Sequence, residues 1–159
     1  ALITGIKNIK TKFFCIFNAD GSFNPRELKH MQKIINSNNY DFVFASRYEK
    51  NCSSEDDTII TKIGNYFFTK LGNLLFNLTI TDILYTFVLG KTLSAKKLKL
   101  IKEDFGFCVE LPIKAKIKNM KLSTSKSNER KRYSGEKKVN AFKDGFLILL
   151  AMLSLLKEK

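Results

Sequence analysis

Runs of apolar residues separated by polar turns predict that strands and helices alternate along this chain. The five apolar residues at positions 13–17 are typical of a strand buried on both faces of a parallel sheet. A polar turn follows at positions 18–21, and Pro25 then fixes a φ angle suited to the first turn of a helix. This order of strand, acidic turn and helix places Asp20 at the edge of an α/β sheet where ligands usually bind.

The rest of the pattern continues this alternation. Helices are predicted over residues 26–36, 59–78, 94–98, 108–119 and 142–156, and strands over residues 40–45, 84–89 and 121–132. The last strand is polar and is expected at a sheet edge, whereas the first strand is of the kind found at a sheet centre. The predicted fold class is therefore α/β.

Two helices have apolar faces that suit either a protein core or a membrane surface. The face of the helix over residues 59–78 is formed by Ile60, Ile63, Phe67, Leu71, Leu74 and Leu78, and it is broadened by Phe68, Leu75 and Phe76. Core packing is the ordinary explanation for such a face, and an interfacial membrane helix is the alternative. The most apolar part of the last helix, residues 146–156, is about half of the roughly 20 residues that cross a bilayer, so it is predicted to lie at an interface without spanning.

Composition and charge narrow the class of protein. The 159 residues, 44% of them apolar, suffice for one globular domain, and the net charge of +13 suggests an anionic membrane or nucleic acid as partner. Nucleic acid is disfavoured because only four of the 28 basic residues are arginines, which readers of bases and phosphates prefer. Three widely spaced cysteines disfavour zinc and disulfides, and they fit a reducing, cytoplasmic setting.

Acidic and basic residues at predicted turns are the candidates for chemistry. The chain has no glycine-rich phosphate loop, nucleophile elbow or HExxH motif, which disfavours P-loop proteins, common hydrolases and zinc proteases. What remains is a set of turn residues, namely Asp20, Arg47, Asp82, Glu110, Arg130, Arg132 and Lys138. A carboxylate for a hard cation, another for a proton and basic groups for phosphate are suited to transfer from a phosphorylated donor.

Several short motifs that include these residues carry a resemblance to a known family. In chain order they are Asn18-Ala19-Asp20-Gly21-Ser22, Ser46-Arg47-Tyr48, Gly64-Asn65, Thr81-Asp82, Gly106-Phe107 with Glu110, and Lys137-Lys138-Val139-Asn140 before Asp144-Gly145. Their order and spacing resemble those of family-2 glycosyltransferases over nearly the whole chain. The similarity is greatest to the branch of dolichol-phosphate mannosyltransferase and bacterial polyprenyl-phosphate sugar transferases.

The resemblance implies a fold and a division of the chain. The fold is a partial A-type glycosyltransferase domain, Rossmann-like, with a mostly parallel sheet and flanking helices. Residues 1–139 are expected to form its C-terminal portion, and residues 140–159 an amphipathic helix at the membrane interface. The family's opening strands, which hold the nucleotide base, have no counterpart here, so a longer N-terminus is expected.

The resemblance also implies roles for individual residues. Asp20 corresponds to the second acid of the family's Asp-x-Asp motif, which binds Mg²⁺ or Mn²⁺ and the donor diphosphate. Asn18 stands in place of the first acid, and Ser22 belongs to the same donor site. Arg47 corresponds to an arginine that binds the acceptor phosphate, and Asp82 to the candidate general base, a role that the acceptor phosphate itself is also suited to fill.

Further basic residues are assigned in the same way. Arg130, Arg132 and Lys138 are expected to form a mobile basic flap near donor or lipid phosphate, and Lys62 to bind acceptor or diphosphate. For Arg130 and Arg132, a solvated edge strand without ligand is the alternative.

The expected function is therefore an inverting glycosyltransferase. It takes a sugar from a nucleotide-diphosphate donor to a polyprenyl or dolichyl phosphate, or a related glycan acceptor, and is peripheral at the cytoplasmic face of a membrane. The alternative is a basic module without catalytic activity that binds an anionic membrane or nucleic acid.

Overall fold

The computed structural model describes residues 1–135 and 140–159 of the chain. In those residues the elements are, in order, α1 (Leu2–Asn8), β1 (Phe13–Ile16), α2 (Leu28–Ser37), β2 (Phe42–Ser46), α3 (Ile59–Phe76), β3 (Val88–Lys91), α4 (Thr92–Lys97), α5 (Phe107–Ile117), β4 (Leu122–Lys126) and α6 (Ala141–Leu155). Short 3₁₀ turns, Pro25–Glu27 and Leu156–Glu158, precede α2 and follow α6.

The strands form one mixed sheet in the order β1-β3-β2-β4. Strand β3 pairs antiparallel with both of its neighbours, whereas β2 and β4 pair in parallel. Strands β1, β2 and β4 therefore run in the same direction, with β3 reversed between them. This α/β architecture with flanking helices confirms the predicted fold class and the edge position of β4. The sheet is mixed, however, and not mostly parallel as expected, because two of its three described strand pairs are antiparallel.

Alternation along the strands gives the sheet two apolar faces. In β2, Phe42 and Phe44 belong to one buried cluster, while Val43 belongs to the other. Helix α2 covers the second face with Met31 and Ile35. Helices α3, α5 and α6 pack on the first face, so the domain has three layers.

The position of β1 differs from the expectation for a central strand. It pairs only with β3 and lies at an edge of the sheet that the structure describes. The strand ends at Ile16, and Phe17 is exposed beyond it. Cys15, within the apolar run that predicts a strand buried on both faces, is half-buried. An apolar run indicates that both faces of a strand are covered, but it does not indicate how many neighbouring strands pair with its backbone.

The largest correction concerns α3, whose predicted core face is mostly exposed. Ile60, Ile63, Phe67 and Leu74 are more than half exposed, so the interpretation of these four residues as core is wrong. Phe68 and Phe76 are buried in the core, and so is Leu78 just beyond the helix. A Cβ at Gly72 would lie 2.8 Å from Ile83 Cδ1, so the helix packs closely against this neighbour where glycine leaves room.

Helix α6 belongs to the same core as the rest of the domain. It contacts α5 and α3, and it buries Ile148, Met152 and Leu155 in the cluster on the first face. Among residues 1–135 and 140–159, no helix combines the length and the apolar character needed to cross a bilayer. This agrees with the length argument made for the last helix.

Candidate functional site

Arg47 and Asp82 form a buried ion pair where β2 ends. Arg47 follows Ser46, the last residue of β2, and Asp82 lies in the connection from α3 to β3. Nε of Arg47 donates a hydrogen bond to Oδ2 of Asp82 at 2.7 Å, and Nη2 donates to Oδ1 at 3.0 Å. The backbone N–H of Arg47 also donates to Oδ2, at 3.1 Å. One arginine thus occupies both oxygens of a carboxylate that is only 1% exposed.

Further carboxylates and an aromatic ring enclose the guanidinium. Nη1 of Arg47 donates to Oε2 of Glu129 at 3.0 Å and lies 3.8 Å from Oδ2 of Asp57. The ring centroid of Tyr85 is 4.5 Å from Cζ of Arg47. Burial alone would lower the pKa of Arg47, but the hydrogen bonds and charge of Asp82, with the charge of Glu129, raise it far above its ordinary value. The arginine therefore stays charged, and the acidic groups around it outnumber it.

The environment of Asp82 limits its use as a proton acceptor. Burial raises the pKa of the Asp82 carboxyl above its ordinary value, and the hydrogen bonds and charge of Arg47 oppose that rise. Both oxygens of this carboxylate already accept hydrogen bonds from Arg47, and the residue is almost completely buried. The ion pair is thus better suited to holding Arg47 in place than to moving a proton.

The loop after β1 presents Asp20 in a tight turn. Oδ1 of Asp20 accepts hydrogen bonds from the backbone N–H and the hydroxyl of Ser22, at 3.0 and 2.6 Å. Gly21 has a φ of +83°, a conformation that side chains rarely adopt, so the turn requires glycine. Ser22 is buried and orients Asp20, whereas Asn18 is exposed at the start of the loop.

The ionisation of Asp20 is favoured by its neighbours. Partial burial opposes the change, but the two hydrogen bonds from Ser22 and the charge of Arg132 lower the pKa of Asp20. Nη1 of Arg132 lies 3.9 Å from Oδ2 of Asp20. The loop therefore holds a fixed negative charge with an arginine beside it.

Residues 127–133, here named the connecting segment, join this loop to the Arg47 cluster. On one side, the backbone N–H of Arg130 donates to the carbonyl of Ser22 at 3.0 Å, and that of Tyr133 donates to the carbonyl of Asp20 at 2.7 Å. On the other side, Glu129 binds Arg47 and also accepts a hydrogen bond from the hydroxyl of Ser54. The loop of Asp20 and the ion pair therefore share one structural element.

Arg130 and Arg132 both lie in the connecting segment, beyond the end of β4 at Lys126. Nη2 of Arg130 donates to the carbonyl of Phe23 at 2.9 Å. Arg132 grips Asp56 through Nε and Nη2, at 3.2 and 3.0 Å, and remains partly exposed. The structure thus brings both arginines to the loop of Asp20, and neither belongs to the edge strand.

The structure does not place the two lysines that were expected to bind phosphate, Lys62 and Lys138, beside Arg47 or Asp20 in the part of the chain that it describes. Lys62 is exposed on α3 and opens into a pocket that Arg47 does not line. Lys138 lies outside the residues that the structure describes.

An apolar groove of about 450 Å³ runs between α3 and α6 and reaches Arg47. Its walls are mainly apolar side chains of these helices and of nearby loops, namely Ile60, Ile63, Phe67, Phe68, Leu84, Phe105, Phe142 and Ile148. Its polar groups include Arg47, Asp57 and Asp144. Asp144 is held at the start of α6, where its Oδ2 accepts the backbone N–H of Asn140 at 2.7 Å.

Glu110, a candidate from the sequence, has a structural role. It is fully buried in α5, where its carboxylate accepts the backbone N–H groups of Ile101 and Lys102. Nζ of Lys114, one helical turn away, lies 2.9 Å from Oε1 of Glu110. These contacts hold the loop before α5 in place.

The sequence interpretation missed Glu129 and Asp57 as members of the Arg47 cluster. The hydroxyls of Tyr48 and Thr61 both donate to Asp57. Asp57 lies in an acidic loop that the sequence does reveal, but no local pattern signals that Glu129 returns to Arg47 from 82 residues away.

The loop of Asp20 has side-chain oxygens of the kind that bind magnesium or manganese when a substrate supplies the other ligands. Among residues 1–135 and 140–159, no group of three or more acidic, histidine or cysteine side chains is placed to hold a metal ion. Mg²⁺ is, however, usually bound by one or two carboxylates together with substrate phosphates. The Asp20 carboxylate and the exposed Asn18 amide fit that pattern, with one charge fewer than two acids would supply.

Comparison with known proteins identifies a family model that matches this chain. The family model described as Glycosyl transferase family 2 matches residues 1–98, a range that includes Asp20, Arg47 and Asp82. The match ends before the connecting segment and α6, whereas the motif resemblance extends over nearly the whole chain. None of the curated proteins matches the chain.

Proposed function

The chain belongs to glycosyl transferase family 2, and we propose that it transfers a sugar from a nucleotide-diphosphate donor to a polyprenyl or dolichyl phosphate at a membrane surface. Family membership implies a nucleotide-sugar donor and an acceptor. The lipid acceptor, and with it the dolichol-phosphate mannosyltransferase branch, is the specific part of the proposal. The observation that carries it is the apolar groove that leads to Arg47.

The groove has apolar walls suited to a prenyl chain, and it is also lined by Arg47, whose guanidinium is held by the carboxylates of Asp82 and Glu129. Its volume of about 450 Å³ is within the usual range for small-molecule sites. A guanidinium has five N–H donors, and the hydrogen bonds to Asp82 and Glu129 use three of them. We propose that the remaining donors of Arg47 contact the acceptor phosphate while the prenyl chain lies between α3 and α6.

Exposed apolar side chains at the groove support a membrane as the source of the acceptor. Phe142 of α6 is 88% exposed, and Ile63 of α3 is 64% exposed. Lys62 and Lys143 are exposed beside them, and the whole chain has a net charge of +13. Such a surface is suited to the cytoplasmic leaflet, where anionic lipids attract basic proteins.

The donor diphosphate is proposed to bind at the loop of Asp20. Asp20 and Asn18 would hold Mg²⁺ or Mn²⁺, which when bound neutralises charge on the leaving diphosphate. Arg132 is partly exposed beside Asp20 and is proposed to bind the same diphosphate, as is Lys138.

In the proposed reaction, an oxygen of the acceptor phosphate attacks the anomeric carbon of the sugar. The bond from that carbon to the donor diphosphate breaks, the nucleoside diphosphate leaves, and the configuration inverts. A phosphate monoester is already largely ionised at neutral pH, because its second pKa is about 6, so it needs no separate base. The hydrogen bonds of Asp82 support this alternative, with Asp82 as the residue that positions Arg47.

Filling the groove tests the proposal directly. A Cβ at Gly64, which lines the groove, meets no atom within 4 Å, so Gly64→Phe adds a ring there without a clash at its base. Gly5 in α1 is equally open, and Gly5→Phe is the matched control. We expect Gly64→Phe to raise the Kd for farnesyl phosphate, measured by calorimetry, by about tenfold or more, while Gly5→Phe binds like the parent.

Sugar transfer provides the second measurement. A panel of labelled nucleotide-diphosphate sugars is offered with polyprenyl phosphate in detergent, and the labelled lipid is extracted and counted. Equal binding of farnesyl phosphate by both glycine variants would remove the groove as acceptor site. Absence of labelled lipid with every donor would instead favour the basic module without catalytic activity.

A further inference from the structure

A second pocket, of about 280 Å³, lies on the other side of α3 from the groove. Lys62, Tyr66 and Lys70 of α3 line it, together with Asn65, Asn73 and the connection to β3 at Ile80 and Thr81. Asn65 lines both the groove and this pocket, whereas Lys62, Lys70 and Asn73 line only the pocket. The two sites are therefore distinct but adjacent.

Two side-chain amides in the wall of this pocket each have one polar atom without a hydrogen-bond partner among the described residues. Asn65 is only 1% exposed, and its Oδ1 accepts the backbone N–H of Leu84, while its Nδ2 has no partner among the described residues. Oδ1 of Asn73 is likewise without a partner there, although its Nδ2 donates to the carbonyl of Ile80. Buried amides are normally bonded, so an unused donor and an unused acceptor point to a ligand that offers both.

The charge at the pocket points to an anion. Lys62 and Lys70 supply two ammonium groups, and no carboxylate side chain lines the pocket in the part of the chain that the structure describes. Nζ of Lys70 lies 5.6 Å from the ring centroid of Tyr66, which holds that ammonium beside the pocket. A phosphate with neighbouring hydroxyl groups matches this set of cations, amide donor and amide acceptor.

The position of the pocket indicates where this phosphate comes from. The exposed side chains of Ile63, Tyr66 and Leu74 lie along the same helix, next to the lysines. If these side chains enter a bilayer, the lysines reach the level of the headgroups, because long basic side chains extend from apolar surface to polar surroundings. A soluble phosphate would make no use of this exposed apolar surface.

We infer that this pocket binds the headgroup of an anionic phospholipid of the phosphoglycerol type. The lysines pair with the phosphodiester, Nδ2 of Asn65 donates to a phosphate oxygen, and Oδ1 of Asn73 accepts from a glycerol hydroxyl. The site orients α3 on the membrane with the acceptor groove beside it. It is separate from the site of sugar transfer, and its tests do not depend on sugar transfer; farnesyl phosphate serves only as the comparison ligand for the groove.

Vesicle binding with matched lysine variants tests the site. Phosphatidylcholine vesicles are compared with vesicles that also contain phosphatidylglycerol, for the parent, for Lys62→Gln with Lys70→Gln, and for Lys29→Gln with Lys33→Gln. The control pair removes the same charge from exposed positions on α2, on the other face of the sheet. We expect the Lys62 and Lys70 pair to lose about 25-fold of the phosphatidylglycerol-dependent binding, roughly fivefold for each lysine near an anionic surface, and the control to lose far less.

Nuclear magnetic resonance of the side-chain amides shows where the lipid headgroup binds. Short-chain dihexanoyl phosphatidylglycerol, kept below its micelle concentration, is titrated into the ¹⁵N-labelled chain. We expect the NH₂ signals of Asn65 and Asn73 both to shift, whereas farnesyl phosphate shifts Asn65 alone.

Three results would overturn the inference. Equal losses in the two lysine pairs would show attraction by net charge alone. Unchanged signals of Asn65 and Asn73 with the short-chain lipid would place the headgroup elsewhere. Glycerol phosphate that binds as tightly as the short-chain lipid would show that the ligand is soluble.

Discussion

Replacing Asp82 by asparagine probes the most heavily bonded group at the candidate site. The substitution keeps the shape of the side chain but removes its charge and exchanges one oxygen for an NH₂ group. In the parent, Nε and Nη2 of Arg47 donate to different oxygens of Asp82. In the variant, the NH₂ group must therefore face one N–H donor of the arginine, so a hydrogen bond becomes a contact between two donors.

The size of the effect follows from burial. The side chains of Arg47 and Asp82 are 9% and 0% exposed, so solvent screens the pair little. Removing one partner of a buried ion pair costs about 3–5 kcal/mol. Because Glu129 continues to bind Arg47, we expect the lower end, about 3 kcal/mol. For a chain of this size this lowers Tm by about 6–12 °C.

Urea unfolding followed by far-ultraviolet circular dichroism measures this loss, with Glu129→Gln as the control. Glu129 provides a single hydrogen bond to the guanidinium, so its variant should lose about 1–3 kcal/mol. A double-mutant cycle that combines Asp82→Asn with Arg47→Met measures the interaction between the two side chains. The double variant should be more stable than the sum of the two single losses predicts. If Asp82 acts through Arg47 alone, single-turnover transfer should also fall no further in the double variant than in Arg47→Met.

Two outcomes would refute this reasoning. Asp82→Asn with a free energy of unfolding within about 0.5 kcal/mol of the parent would mean that the ion pair does not form as described. A normal stability combined with a ~10²–10⁴-fold loss of turnover would restore Asp82 as a general base.

The other predictions concern single groups. In a chain extended at its N-terminus by the expected opening strands, calorimetry should show that Asp20→Ala loses Mn²⁺-dependent donor binding and that Asn18→Asp tightens it; equal affinities would remove the loop as metal site. Because the pKa of Asp20 is lowered from 3.8 in the folded chain, its contribution to stability is present above that pH and is lost as pH falls through the folded value. Urea unfolding measured above and below pH 3.8 should therefore show that acidification lowers the free energy of unfolding less in Asp20→Asn than in the parent. Burial raises the pKa of the Cys15 and Cys108 thiols to about 12, so a thiol reagent at pH 8 should label them only when urea unfolds the chain. Glu110→Gln should cost about 3 kcal/mol in urea unfolding, because it removes a fully buried charge, without changing donor affinity.

The pattern of the sequence determined most of the elements and the position of the loop of Asp20. Apolar spacing and turn residues are local properties, so α2, α3, α5, α6 and the acidic turn at Asp20 followed from neighbours along the chain. The pattern did not predict α1, and it placed β3 at 84–89 and the end of β4 at residue 132, whereas these strands are Val88–Lys91 and Leu122–Lys126. The requirement for glycine at position 21 is local as well, because the φ of +83° is a property of a single residue. Motif order likewise pointed to the family that the comparison supports over residues 1–98.

Tertiary structure decided which of these groups meet and which faces are covered. Ile83 packs closely against α3 at Gly72, where a side chain would clash. A pattern of apolar residues does not reveal such a contact, because glycine contributes no apolar side chain to the pattern. The partners of Arg47 are 35 and 82 residues away, at Asp82 and Glu129. Contacts of this range arise from sheet order and loop path, which each segment alone leaves open. For this reason the sequence could identify Arg47 and Asp82 as candidates, and only the fold could show that they bind each other.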